Sequence, residues 1–242
     1  MANSALLDRA RDLWVTLAGA ATTFPASDVR VTVAVGSRLC PPGWAGIVVL
    51  GDAGIATAPD AATARFLREA LAGRPARSAV HAERWSGAPG VADVLGPAAL
   101  AYLDEKEFKP ATAVADVEWL RPGHPDIGEL LAGVSEEEAA ESGIDDVTSS
   151  VFVIREGGRL VAAAGYRRWP SSVAHLSVLT SSHCRGRGLA GAVASAAVAE
   201  AQRNELLPQW RARPEPSQRL ARRLGFCQLG TQVSIRVAAD HA

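Results

Sequence analysis

Residues 173–190, VAHLSVLTSSHCRGRGLA, decide how this chain is read. The first eight residues suit a strand. The next eight hold two glycines flanked by Arg185 and Arg187, and the alanine-rich run LAGAVASAAVAEA that follows is helical. Strand, glycine loop and helix in that order aim several backbone N–H groups and a positive helix end at one point, which suits an anion, most often a phosphate. The start of the helix is nearly free of bulky side chains, so it can pack close to a strand and to a ligand. Two guanidinium groups stand where a phosphate would sit. The spacing is neither that of a Walker loop, which needs GK[ST], nor the dinucleotide GxGxxG. The expected ligand is a pyrophosphate carried by something other than a simple nucleoside triphosphate; the bland alternative is a strand-to-helix turn shaped by Gly186 and Gly188.

Around this stretch, 242 residues suffice for one large domain or two small ones with a sizeable core. A net charge of −1 argues against nucleic acid or a membrane surface as the main partner. No aromatic residues interleave with the arginines of RGRG, which speaks against RNA. Cys40, Cys184 and Cys227 are far apart and odd in number, so neither a disulfide framework nor a CxxC metal pattern follows, no metal site is expected, and a reducing cytoplasm is the expected compartment. Charges at Asp8, Arg9, Arg11 and Asp12 before the apolar run at 15–21 do not read as a signal peptide, and no stretch is long enough to span a bilayer.

Taken in order, residues 4–19 place Leu6, Leu7, Ala10, Leu13, Trp14 and Leu17 on one helical face. Strands are predicted at 29–35, 46–51 and 54–58, then a helix at 61–72 capped by Asp60, then mostly loop over 73–90. Residues 91–103 mix short apolar runs with Pro97. The polar DEKEFKP at 104–110 marks a domain boundary, giving an N-terminal α/β domain, 1–110, and a second domain, 111–242. In the second, a strand at 112–120 precedes a helix at 125–132 and another opened by the Ser135/Glu138 capping box. A hairpin turning at Gly157-Gly158 joins strands at 151–155 and 159–169. Strand 171–180, the loop, helix 189–203, strand 206–212, helix 217–224 and an extended stretch at 225–237 complete the order. This is a mixed α/β (α+β) fold, a mixed central sheet with flanking helices, not a regular doubly wound sheet.

Arg185, Gly188 and Ala190 fit [RQ]-x-x-G-x-[GA] after a strand ending Ser177-Val178-Leu179-Thr180, and LLPQWRARPEPSQRLARRLGF at 206–226 forms a strand, a helix and a terminal Leu-Gly-Phe turn. With its element order, the chain from about 111 to 238 resembles the GNAT superfamily of acyl-CoA-dependent N-acetyltransferases. The resemblance implies acetyl-CoA as co-substrate. Ser177, Val178, Leu179 and Thr180 would hold its pantetheine arm. Arg185, Gly186, Arg187, Gly188, Leu189 and Ala190 would wrap its diphosphate. It also implies that Trp210 or Arg211 lines the acceptor cleft. Residues 1–110 lack a second such signature and resemble the diverged N-terminal half of two-part members, whose role could be to wall the acceptor pocket, to dimerise or to extend the sheet. A monomer and a homodimer are both compatible with the sequence.

Acetyl transfer to an amine needs a neutral amine, a donor for the tetrahedral oxyanion and a proton for the leaving thiolate. The resemblance implies the Val178 N–H as oxyanion donor. His175 is the only titratable side chain on the strand before the loop and is the candidate base; a sheet histidine with a structural role, or water as base, is the alternative. Alternation puts His175 and Ser177 opposite Leu176 and Val178. The tyrosine that many family members carry four residues before the terminal glycine is Ala221 here, and a frequent asparagine is Pro214. Ser217 is the candidate proton donor, or else a plain helix N-cap. The expected activity is acetyl transfer to the primary amine of a small molecule, the alternative a non-catalytic acyl-CoA-binding or sensing protein.

Overall fold

The computed structural model describes residues 2–112 and 114–238. Its elements begin with α1 (Ala2–Ala18), β1 (Asp28–Val33), β2 (Ala45–Leu50), β3 (Ala53–Ala58), α2 (Ala61–Leu71), α3 (Ala82–Trp85) and β4 (Val91–Tyr102). They continue with β5 (Glu118–Leu120), α4 (Pro125–Ala132), α5 (Glu136–Ser142), β6 (Val151–Glu156), β7 (Arg159–Trp169) and β8 (Val173–Thr180). The last are α6 (Leu189–Arg203), β9 (Leu207–Ala212), α7 (Glu215–Arg223) and β10 (Cys227–Val237). Contacts group them into two compact units, Met1–Leu100 with Gln228–Ala242, and Ala101–Cys227.

The first unit orders its strands β1-β3-β2-β10-β4, with β1 parallel to β3 and β2 antiparallel to both β3 and β10. Helix α1 buries Leu6, Ala10, Leu13, Trp14 and Leu17, the stripe its spacing predicts. The Asp60 carboxylate accepts the Thr63 N–H at 2.7 Å and starts α2, whose Ala64, Leu67 and Leu71 are buried. The C-terminal strand, which follows the second part in sequence, joins this unit because Val233 and Ile235 enter the core built by α2, β2 and β3. One local expectation changes. Residues 73–90 are not mostly loop: they hold a 3₁₀ turn, Ala76–Val80, and α3, pinned by buried Trp85, whose indole N–H donates to the Ala79 carbonyl at 2.7 Å. Residues 91–102 form β4, with Pro97 inside it.

The second unit orders its strands β5-β6-β7-β8-β9, antiparallel through β8 and parallel between β8 and β9. Helix α6 covers one face, with Val193, Ala197 and Leu189 against Ala162, Ala164, Ala174 and Leu176. Helix α4 and the turn Ile144–Asp146 cover the other, with Ile127, Leu130 and Ile144 against Val151, Val153, Ala163 and Leu179. The Ser135/Glu138 capping box and the Gly157-Gly158 hairpin form as predicted. The strand expected over 112–120 shortens to β5, and residue 113 lies outside the described residues. Val114, Val117 and Trp119 are exposed, so β-propensity there has no half-buried surface to fit. No helix among the described residues is long and apolar enough to cross a membrane.

Candidate functional site

Strand β8 pairs with β7 along its whole length but with β9 at three positions only, Val173 with Leu207, Ala174 with Pro208 and His175 with Gln209. The Leu207 N–H donates to the Ser172 carbonyl at 2.8 Å, so even-numbered residues of β8 are the ones that turn their backbone groups toward β9. Beyond His175 the ladder ends. The Val178 amide therefore faces a gap between two parallel strands, with no ladder partner there among the described residues. An unpaired strand edge accepts another extended, amide-bearing chain. The odd residues behave differently. Ser177 and Leu179 turn their backbone groups to β7 and their side chains to the opposite face, where the Ser177 hydroxyl donates to the Gly143 carbonyl at 3.0 Å and Leu179 joins the α4 core. Of the four residues grouped in sequence, Val178 and Thr180 are those whose backbone faces the gap.

After Thr180 the chain makes a 3₁₀ turn, Ser182–Cys184, and enters α6 through Gly186 (φ 78°) and Gly188 (φ 82°), both left-handed. Only glycine adopts that conformation cheaply. Gly188 is the N-cap of α6; no side chain caps this end and no acidic residue stands in its first turn. The first-turn amides, beginning at Leu189 and Ala190, are thus free of a competing carboxylate, as an anion site requires. Leu189 itself is buried beneath the helix, while Ala190 is partly exposed. The two arginines are not free cations: Arg185 pairs with Glu138 at 2.7 Å, and Arg187 makes a two-pronged contact with Glu156 at 2.6 and 2.9 Å. Bonding to the guanidinium groups holds both carboxyls below the usual carboxylate range. Both pairs are solvent-exposed and hence weak.

The two catalytic candidates lie on opposite faces of the sheet. His175 stacks on Trp169, ring centroids 4.0 Å apart, and its Nδ1 is bonded to the Gln209 carboxamide. Burial pushes its pKa down to about 4; the Gln209 bond opposes this, and the Arg211 and Arg167 charges reinforce it. The imidazole is neutral at physiological pH. With Nδ1–H donating to Gln209 Oε1, its Nε2 carries the lone pair. Trp210, the residue after Gln209, points the other way, packs edge-to-face on Phe226, and donates its indole N–H to Ser217 Oγ at 3.0 Å. Ser217 is not the N-cap of α7; Pro214 holds that position and Ser217 sits within the first turn. Ala221, where the tyrosine was sought, is buried.

Three residues that the sequence did not single out as a group surround His175. Gln209 is fully buried and its Nε2 has no acceptor. Arg211 follows on the same face of β9. Glu141 of α5 is engaged by Arg213, through its backbone N–H at 3.1 Å and its guanidinium at 2.7 Å. Alternation in LPQWRA could have put Gln209 and Arg211 together; nothing local could have brought Glu141 to them. A cavity of about 410 Å³, lined by Arg77, His81 and Glu83 among others, belongs wholly to the first unit and contributes nothing to this site. Among the described residues no group of three or more His, Cys, Asp or Glu could hold a metal ion.

Residues 151–232 match the GNAT acetyltransferase family. That segment holds the parted strands, the glycine loop, α6 and α7. Among solved structures, a GNAT-family protein from Novosphingobium aromaticivorans DSM 12444 is 24% identical, covering 61% of this chain and 67% of its own, with a TM-score of 0.47. A GCN5-related N-acetyltransferase-like protein from Streptococcus suis 89/1591 is 18% identical over 80% and 84%, TM-score 0.49. An acetyltransferase from the GNAT family of Colwellia psychrerythraea is 16% identical over 62% and 59%, TM-score 0.45, so that this chain spans about three-fifths of its length. No curated protein matches the chain.

Proposed function

We propose that this chain, with a segment of GNAT type at residues 151–232, is an acyl-CoA-dependent N-acetyltransferase acting on the primary amine of a small molecule, with acetyl-CoA as co-substrate. The observation that carries the reading is the parting of β8 from β9 after His175 and Gln209. The open edge at Val178 suits the amides of a pantetheine arm, and the uncapped α6 N-terminus behind Gly188 suits the diphosphate. Both features lie on one strand-loop-helix, so one extended ligand can use both.

In the reaction the neutral amine attacks the thioester carbonyl carbon, and the π pair moves to oxygen, where the Val178 N–H stabilises it. The carbon–sulfur bond then breaks and sulfur leaves with the electron pair. Ser217 is suited to relay a proton to that thiolate: its oxygen already accepts from the Trp210 indole, its O–H gives its proton to sulfur, and the hydroxyl is restored by the water that has taken the amine's proton. The amine's proton goes to water, since His175, with a pKa of about 4, offers its Nε2 lone pair only as a weak base. The products are the amide and free CoA thiol. The free cysteines Cys40, Cys184 and Cys227 fit work in a reducing cytoplasm.

The test is release of free thiol from acetyl-CoA with a panel of primary amines. Amine-dependent release is the expected result. A second reading, an acyl-CoA binder without turnover, is favoured by the low basicity of His175 and by buried Ala221 in the tyrosine position. Calorimetric binding of acetyl-CoA with no amine-dependent thiol release would select it.

A further inference from the structure

Around His175, three arginines meet two carboxylates. Arg167 bonds Asp146 at 3.0 Å, and Arg213 occupies Glu141 with its backbone and side chain. Arg211 is left over: among the described residues its side chain has no hydrogen bond or ion pair, and the charges that act on it are Glu141, already engaged, and the like-charged Arg213. Removal from water lowers its pKa from the ordinary guanidinium range. A partly buried guanidinium without a counterion is costly, as is the buried Gln209 Nε2 without an acceptor. Both stand on the same face of β9, two residues apart. Continuing the β8–β9 register past His175 and Gln209 would set Arg211 level with Ser177, beside the Val178 amide.

We infer that Arg211, with Gln209 beside it, binds a carboxylate carried by a reacting substrate, so that the acceptor is an amine bearing a carboxylate, as an amino acid does. The inference rests on the acyl-transfer reading for the identity of the reacting end. The pantetheine arm is uncharged and the diphosphate is assigned to the α6 end, so neither supplies the missing anion at Arg211. A carboxylate suits a planar guanidinium through two parallel N–H···O bonds. It also explains why a cleft meant for an amine carries surplus positive charge: the charge attracts the acid end and leaves the amine to the Val178 side. The same chemistry could arise from a carboxylate on the acyl group, as in succinyl-CoA.

The experiment measures calorimetric binding of a panel of N-acetyl-amino acids, each against its own primary amide, to wild type and to Arg211→Gln, with thermal unfolding as the folding control. The expected result is that at least one acid binds wild type about 10–100-fold more tightly than its amide, and that Arg211→Gln abolishes the difference. Arg211→Lys should restore only part of it, because a point charge lacks the fork. A parallel arm compares succinyl-CoA with acetyl-CoA; a preference for succinyl-CoA that Arg211→Gln removes would put the carboxylate on the acyl group. Equal binding of acids and amides in wild type, together with no acyl preference, overturns the inference, as does an acid preference that survives in Arg211→Gln. So does a loss of CoA affinity in Arg211→Gln as large as the loss for the acids. If no amine releases thiol from acetyl-CoA, the acyl-transfer reading fails by itself, and the binding measurement still decides the carboxylate.

Discussion

His175 and Gln209 are the last residues paired between β8 and β9, and the carboxamide of the second holds the imidazole of the first where the strands part. Because the imidazole is buried, its folded pKa of about 4 lies below the ordinary 6.5. The unfolded chain therefore binds the proton more readily between these values. Stability from this group is fully present above pH 6.5 and is lost as pH falls from 6.5 to about 4. His175→Gln should flatten that slope, by on the order of 1–3 kcal/mol across the window, in denaturant unfolding at a series of pH values. An unchanged slope would mean another group controls it.

The rate should not report the histidine. If water takes the proton, kcat/KM plotted against pH rises with the amine's own ionisation and keeps the same profile in His175→Ala. An inflection near pH 4 that vanishes in His175→Ala, with a fall in rate above it, would return the base role to His175.

Gly188 sits at φ 82° at the start of α6, with room beside it, since an added Cβ would lie 3.5 Å from the Val114 side chain. Gly188→Ala should cost about 1–2 kcal/mol of stability through backbone strain alone. Gly188→Asp adds an anion at the proposed diphosphate site and should weaken CoA binding by about 100-fold or more in calorimetry, far beyond the alanine variant. Normal CoA affinity in folded Gly188→Asp would remove the diphosphate from this loop.

Arg187 is held by Glu156 in an exposed pair that competes with any phosphate. Glu156→Gln should therefore tighten CoA binding by about 2–5-fold at low ionic strength, and the gain should fade at high salt. No change at low salt would place the diphosphate out of reach of Arg187.

For the leaving group, Ser217→Ala should lower kcat by about 10-fold with little change in KM for acetyl-CoA. Trp210→Phe removes the indole donor that orients this hydroxyl and should reproduce part of the kcat loss. Steady-state kinetics on folded variants that find kcat unchanged in both would hand protonation to water.

The readings that needed only neighbours in sequence were legible. The Asp60 cap, the Ser135/Glu138 capping box and the Gly157-Gly158 hairpin depend on residues within one turn of each other, and the strand-loop-helix at 173–190 depends on local spacing and two left-handed glycines. The element order and the strand-loop-helix geometry follow from such local terms. Where an element's fate rested on what it packs against, local pattern misled: the strand sought at 112–120 shrank to β5 because its apolar residues found no surface.

What only the tertiary structure decided lies across the chain. His175 and Gln209 are 34 residues apart, and Arg213 meets Glu141 across 72. Their register ends the β8–β9 ladder at His175, turns the Val178 amide to a gap, separates His175 from Ser217 by the thickness of the sheet, and leaves Arg211 without a counterion. The sequence by itself determined the loop, the helix behind it and the mixed α/β order, since those free energies are set within a few residues. The depressed basicity of His175 and the unpaired charge of Arg211 arise from burial and distant neighbours, and these exist only once the strands are assembled.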